Sequence, residues 1–142
     1  MDQTLSITGS LCVCISAVML LQSSPTAAHS NTEVNAPTII HMAQKFSGTR
    51  YRITCRVNPG GLKDEIMVYW LADGDFLETA YKNIRVTKKV KWLDGTEYIE
   101  TTAVFKKLSQ KDFDTNFTCI ALSPAGFAKE NIQIIKASPR LT

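Results

Sequence analysis

The chain has 142 residues, 44% of them hydrophobic, and its 16 Lys and Arg against 13 Asp and Glu give a formal net charge of +3. It is therefore long and apolar enough to bury one domain core. The small charge excess argues against a nucleic-acid-binding protein, in which basic residues are numerous and concentrated.

Residues 1–30 differ in composition from the rest of the chain. An apolar run over residues 11–21 is followed by a polar stretch and by the small residues of the segment 26–28. This order is typical of a secretory signal peptide, and we place its cleavage after Ala28. The alternative, a membrane anchor, is disfavoured because about a dozen apolar residues fall short of the roughly 20 that span a bilayer.

The remaining chain is predicted to contain a flexible lead-in over 29–37, one folded domain over 38–136 and a short C-terminal tail over 137–142. The tail is polar and lacks the hydrophobic signal that directs a lipid anchor. We therefore expect a secreted, extracellular protein that is a monomer and does not insert into membranes.

Cysteine usage agrees with secretion. Cys12 and Cys14 fall in the leader, which leaves Cys55 and Cys119 as an even pair in an oxidising compartment. A disulfide between them is the default. A metal site would need more ligands, and the two histidines do not stand at metal-ligand spacing; no cofactor is expected.

Short β-branched and aromatic runs, separated by Gly, Pro and Asp-Gly turn signals, follow the lead-in. This pattern predicts an all-β sandwich, and no segment shows a sustained helical period. In the letters of immunoglobulin domains, the predicted strands A, B, C, C′, D, E, F and G span 38–42, 51–57, 66–71, 76–80, 85–90, 98–105, 116–122 and 127–135.

Three residues identify the type of sandwich. Cys55 lies on strand B, Trp70 on strand C and Cys119 on strand F. In immunoglobulin-like sandwiches a disulfide joins the two sheets at these strands and the tryptophan packs on it. Phe117 stands two residues before the second cysteine, where such domains usually have a tyrosine. Without the tyrosine hydroxyl the corner hydrogen bond is lost, so this turn must be held in another way. Trp70 and Phe117 are predicted core residues.

Alternation along the strands then assigns the side chains to two faces. Ile66, Val68, Leu77, Thr79 and Ala121 should join the core. The outer face of the sheet formed by C, C′, F and G should show six apolar side chains together, with Glu78 beside them: Met67, Tyr69, Leu71, Phe76, Ile120 and Leu122. A contiguous apolar patch of this kind favours a protein-binding surface. The alternative is that segment 82–92 folds over it.

Two segments of this sandwich resemble a known family. Tyr69-Trp70-Leu71-Ala72-Asp73-Gly74-Asp75-Phe76-Leu77-Glu78 and Asp114-Thr115-Asn116-Phe117-Thr118-Cys119-Ile120 are similar to the C–C′ and F segments of interleukin-18-binding proteins. These are secreted single-domain decoys, and their domain is related to the third immunoglobulin domain of interleukin-1 receptors. The chain also resembles that receptor domain, including the one in the decoy type-2 receptor.

The resemblance implies that the chain sequesters interleukin-18 on the outer C–C′ face and blocks its receptor. Carried over by position, Tyr69 and Phe76 are the anchors, with Glu78 beside them, and Met67 stands where viral members have an aromatic residue. Two other hypotheses stay open: a soluble form or fragment of an interleukin-1-family receptor that binds interleukin-1, and an adhesion or structural domain.

Three further features bear on function. Asn116-Phe117-Thr118 is an N-glycosylation sequon. A basic stretch is interpreted as a solvated edge that resists strand pairing; the alternative is that it steers an acidic cytokine or heparan chains. It contains Lys82, Arg85, Lys88, Lys89 and Lys91. Trp92 follows it and is either a core residue or a loop-tip anchor. No nucleophile–base or paired-carboxylate motif is present, so we do not expect an enzyme.

Overall fold

A computed structural model describes residues 33–136. The predicted signal peptide, the first residues of the lead-in and the predicted tail over 137–142 lie outside the described residues. Within this range eight strands form the domain: β1 (Thr38–Ser47), β2 (Arg50–Asn58), β3 (Met67–Ala72), β4 (Asp75–Phe76), β5 (Arg85–Leu93), β6 (Thr96–Phe105), β7 (Phe117–Ser123) and β8 (Gly126–Ile132). They correspond in order to the predicted strands A, B, C, C′, D, E, F and G.

The strands form two antiparallel sheets, one with the order β1-β2-β6-β5 and the other with the order β4-β3-β7-β8. The disulfide Cys55–Cys119 joins β2 of the first sheet to β7 of the second. The side chains of Trp70 and Phe117 are completely buried between the sheets. The predicted immunoglobulin-like sandwich with one inter-sheet disulfide is therefore confirmed.

Two tight hairpins set the register of neighbouring strands. Asp73-Gly74 joins β3 to β4, and Asp94-Gly95 joins β5 to β6. All four residues have positive φ, with values of 48° and 91° in the first turn and 50° and 76° in the second. Such Asp-Gly turns match the twist of the flanking strands, which is why the Asp-Gly pairs in the sequence marked both hairpins.

The predicted strand C′ over 76–80 is wrong beyond its first residue. Strand β4 ends at Phe76, and the helical turn α1 (Leu77–Ala80) follows, closed by a hydrogen bond from the Tyr81 amide to the Leu77 carbonyl. Residues four apart on a helix share a face, so Leu77 is fully buried and Tyr81 packs against the core. Thr79, predicted to face the core, is instead exposed.

The corner that lacks the usual tyrosine is held by Tyr81. Its hydroxyl donates to Oδ1 of the buried Asp112 at 2.7 Å, in the 3-10 helix Gln110–Phe113. Oδ2 of Asp112 accepts from the Ser109 amide at 2.6 Å and from its hydroxyl at 2.9 Å. The Tyr81 ring meets that of Phe105 edge-on at 5.4 Å. A residue from the β4–β5 connection thus supplies the missing phenol.

Replacing Tyr81 with Phe should lower the free energy of unfolding by about 2 kcal/mol at neutral pH, because a buried carboxylate oxygen loses its donor. Burial, reinforced by the hydrogen bond to Asp112, raises the pKa of Tyr81 from 10.0 to about 12. The Tyr81 phenol therefore ionises at a lower pH in the unfolded chain than in the folded protein. Its contribution to the free energy of unfolding is present below pH ~10 and is lost as pH rises toward ~12.

The check is urea unfolding of wild type and Tyr81→Phe at pH 7, 9.5 and 11. We expect the stability difference between the two proteins to shrink at the highest pH. A difference that stays constant across this range would contradict the assigned role of the phenol.

Candidate binding face

The pairing of β3, β7 and β8 sets apolar side chains in rows on the outer surface of their sheet. Met67 lies opposite Leu122, and Leu122 lies opposite Phe127. In the next row, Tyr69 lies opposite Ile120. Cross-strand neighbours on one face lie within contact distance of each other, so these rows form a continuous surface.

The third row reaches the sheet edge. Leu71 lies between Thr118 of β7 and Phe76 of β4. The ring of Phe76 packs against that of Tyr69 with 5.4 Å between centroids, which joins this row to the second. We call the resulting surface the apolar face; it comprises Met67, Tyr69, Leu71, Phe76, Ile120, Leu122 and Phe127.

The members of the apolar face differ in how much they expose. Phe127, Met67 and Phe76 expose 65%, 57% and 56% of their surface, whereas Tyr69, Leu71 and Ile120 are half-buried between neighbours. Aromatic and methionine side chains are enriched at the core of protein interfaces, and a few buried anchor residues carry most of the binding energy. The face can therefore bind a complementary apolar surface.

The alternative that segment 82–92 covers this patch is wrong. Arg85–Leu93 is strand β5, which pairs with β6 in the opposite sheet. Lys88 of this strand lines the edge of the apolar face, and its Nζ donates to the Ile66 carbonyl at 3.3 Å.

An open edge of β3 adds a depression to this surface. Strand β4 pairs with only Leu71 and Ala72, so within residues 33–136 no strand pairs with the earlier part of β3 on that side. The depression is lined by Ile66, Met67, Val68, Tyr69, Phe76 and Lys88. A partner side chain could enter it next to Met67 and Phe76.

Phe127 was missed by sequence reasoning, which assigned β8 to this sheet but placed none of its side chains on the outer face. The sequence contained the information needed to place Phe127 on this face. Leu122 was predicted to face outward, and the turn at Ser123-Pro124-Ala125-Gly126 leads into the strand that pairs antiparallel with β7. Continuing the alternation across that turn puts Phe127 beside Leu122.

The remaining predicted residues flank the apolar face. Glu78 is exposed on α1, directly after the edge strand that carries Phe76. The Asn116 amide donates to Asp73 Oδ1 at 2.9 Å, and the Asn116 carbonyl accepts from the Asp73 amide at 2.9 Å. Asn116 thus lies at the turn end of the face, and its glycosylation stays a prediction. Trp92, 66% exposed at the end of β5, does not belong to the core.

Residues 33–136 contain no group of three or more His, Cys, Asp or Glu side chains that could hold a metal ion. None of their helices has the length and apolar character needed to cross a bilayer.

The domain is similar in sequence to interleukin-1 receptor type 2 from several mammals. It is 31% identical to the Rattus norvegicus protein over 84 residues, which cover 56% of this chain and 20% of that receptor. It is 28% identical to the Homo sapiens protein over 113 residues, covering 75% of this chain and 28% of the receptor. No family model matches the chain. The similarity supports an interleukin-1-receptor-like immunoglobulin domain, and the chain spans about a quarter of these relatives.

Proposed function

We propose that this domain binds a cytokine of the interleukin-1 family on the apolar face and withholds it from its receptor. The observation that carries the proposal is the exposure of this face on a domain similar to part of a protein named as an interleukin-1 receptor. Interface anchors are typically aromatic and methionine side chains that fill pockets in the partner. Met67, Phe76 and Phe127 have these properties.

The binding geometry follows from the rigidity of the face. The residues of β3, β7 and β8 are held by strand pairing and by the disulfide beneath them. A surface that is ordered before binding loses less conformational entropy when the partner docks. Glu78 and a glycan at Asn116 would border this footprint and contribute to selectivity rather than to most of the affinity.

Two cytokines compete as the ligand. The names of the relatives favour interleukin-1, whereas the residues of the C–C′ segment, with Tyr69 and Phe76 as anchors, resemble interleukin-18-binding proteins. We propose interleukin-18 as the first ligand to test and interleukin-1β as the second. The disulfide is of the kind that persists in oxidising compartments, which agrees with action outside the cell as a secreted decoy.

The test is surface plasmon resonance of the full chain, expressed in a secretory host, against interleukin-18 and interleukin-1β. We expect a Kd in the nanomolar range or below for one of the two and at least a hundredfold weaker binding of the other, since specificity is a difference of affinities. An unrelated protein of similar size and charge serves as the negative control.

The same preparation distinguishes a decoy from an adhesion domain. A cytokine-binding domain should be a monomer by light scattering and form a one-to-one complex with its ligand. Dimers that hide the apolar face, together with no response to either cytokine, would contradict the proposed function and favour the adhesion domain.

A further inference from the structure

Two lysines border the apolar face on opposite sides. Lys129 of β8 lies opposite Ile120 of β7, and Ile120 lies opposite Tyr69 of β3, so Lys129 extends the second row of this face. Neighbouring strands are about 4.8 Å apart, so the backbones of Tyr69 and Lys129 are about 10 Å apart. On the other side, Lys88 of β5 lines the depression at the open edge of β3. The apolar side chains therefore lie between two cations.

The position of Lys88 follows from the incomplete cover of its strand. Lys88 lies opposite Thr101 of β6, which is only 1% exposed, and residues directly opposite each other point to the same side of a sheet. The other sheet does not cover this side of β5, because β4 pairs with only the last two residues of β3; Val90, on the same side, is 51% exposed. Lys89 and Lys91 point to the other side of β5 by alternation, so of these three lysines Lys88 alone lies beside the apolar face.

Neither lysine has an anionic partner within residues 33–136. Lys88 Nζ donates to the neutral Ile66 carbonyl at 3.3 Å, which is at the long end for a hydrogen bond. Both lysines are exposed. Neither is among the described residues that form ion pairs, which are Arg56, Lys63, Lys91, Glu97 and Glu100. Their charges are therefore available to anionic groups of a binding partner.

A carboxylate marks a third side of the apolar face. Glu78 on α1 is exposed and follows Phe76 closely in the chain. Glu130, next to Lys129 in the sequence, lies opposite the buried Cys119 and so points away from the apolar face. The border of the face is therefore positive beside β3 and β8 and negative beside α1. A complementary surface has the opposite charges at these three places.

We propose that the apolar face recognises an acidic protein surface, in which carboxylates border an apolar patch on two sides, and that Lys88 and Lys129 determine this specificity. The inference rests on the proposed function, because it describes the surface of the cytokine that would bind. Charges at the border of an interface accelerate association and reject partners of like charge. A partner with Lys or Arg facing either lysine would therefore bind much more weakly.

Other anionic partners fit this arrangement less well. Nucleic acid carries closely spaced phosphates along its whole length and is bound by rows of cations, whereas apolar surface separates Lys88 from Lys129. An anionic membrane attracts clusters of basic residues, and Glu78 would be repelled by its headgroups. Two separate cations around an apolar centre match a folded protein, whose surface holds apolar and acidic side chains at fixed positions.

The first test is surface plasmon resonance of Lys88→Met/Lys129→Met with the cytokine that the wild-type protein binds. Methionine keeps an apolar side chain and removes the charge. Each exposed ion pair changes the Kd by up to about fivefold, so we expect a rise of about tenfold, mostly from slower association. The dependence of the Kd on salt between about 0.05 and 0.5 M should also become weaker.

A matched variant controls for net charge. Lys45→Met/Lys107→Met removes the same charge from exposed positions outside the apolar face and should change the Kd by less than about twofold. Thermal melting of each variant checks the fold. Equal losses of affinity in the two double variants would overturn the proposal, because they would show an effect of total charge rather than of position.

The second test needs no cytokine. Random peptides of about 12 residues, long enough to cross the sheet when extended, are selected on the wild-type protein, on the lysine variant Lys88→Met/Lys129→Met and on Tyr69→Ala/Phe76→Ala. Peptides that bind the apolar face are those that fail to bind the last variant. We expect such peptides to carry Asp or Glu on both sides of an aromatic or aliphatic residue, and this enrichment to disappear on the lysine variant.

The outcomes of the peptide selection separate the two proposals. Peptides that bind the apolar face without acidic residues, or the absence of any peptide that depends on Tyr69 and Phe76, would overturn the assigned specificity whether or not a cytokine binds. Acidic peptides on the apolar face, together with no response to either cytokine, would support the specificity and contradict the proposed function.

Discussion

Replacing Tyr69 and Phe76 together with Ala is expected to weaken cytokine binding by at least about a hundredfold while leaving the fold intact. The two rings pack on each other at 5.4 Å, and Phe76 is 56% exposed. Truncating a central aromatic anchor typically costs about 2 kcal/mol or more, and about 1.4 kcal/mol corresponds to a tenfold change in Kd. Since the two rings pack on each other, the losses of binding free energy in the two single variants should not sum to the loss in the double variant.

The matched control removes two exposed aromatic rings elsewhere. Phe46 and Trp92 expose 58% and 66% of their surface, and neither belongs to the apolar face. Phe46→Ala/Trp92→Ala should bind the cytokine with the wild-type Kd, measured by surface plasmon resonance beside the melting temperature of each variant. A parallel loss in both double variants would show that binding does not depend on the apolar face.

Replacing Cys55 and Cys119 with Ala is expected to lower the free energy of unfolding by about 4 kcal/mol. The disulfide joins residues 64 apart in the sequence, and cross-linking a loop of that length removes roughly this much stability from the unfolded chain. Both cysteines are completely buried, so the variant also leaves a small packing defect. Since domains of this size are stable by only about 5–15 kcal/mol, the loss is a large fraction of the total.

Urea unfolding followed by tryptophan fluorescence measures this change, because Trp70 is buried in the core between the sheets. The wild-type protein in strong reductant is the control, and it should unfold at nearly the same urea concentration as the variant. A loss below about 1 kcal/mol would mean that the packing of the two sheets, rather than the cross-link, carries most of the stability.

The core could be predicted from the sequence because its signals are residue spacings and short patterns along the chain. Cys55, Trp70 and Cys119 stand at the spacing of an immunoglobulin-like sandwich, and alternation from Trp70 assigned Met67, Tyr69 and Leu71 to the outer surface. Asp73-Gly74 and Asp94-Gly95 marked two hairpins through their backbone preferences. The hairpins and the assignment of faces need only neighbouring residues and the period of a strand, whereas the type of sandwich follows from the order and spacing of three residues along the chain.

Where packing competes with a local pattern, sequence reasoning failed. Segment 77–80 was predicted as strand, but a helical turn forms there because it lets both Leu77 and Tyr81 reach the core. The partner of Tyr81, Asp112, follows 31 residues later, and nothing in the local pattern links the two. The phenol that holds this corner could be found only from the folded chain.

By itself, the sequence determined the fold class, the disulfide and the outward direction of most of the apolar face, since these follow from residue spacing and strand alternation. The tertiary structure alone decided that Phe127 completes that face, that β5 leaves it uncovered and that Lys88 and Lys129 border it on opposite sides. Alternation tells which way a side chain points within its strand. Strand order and register, which depend on packing between distant segments, decide which side chains meet.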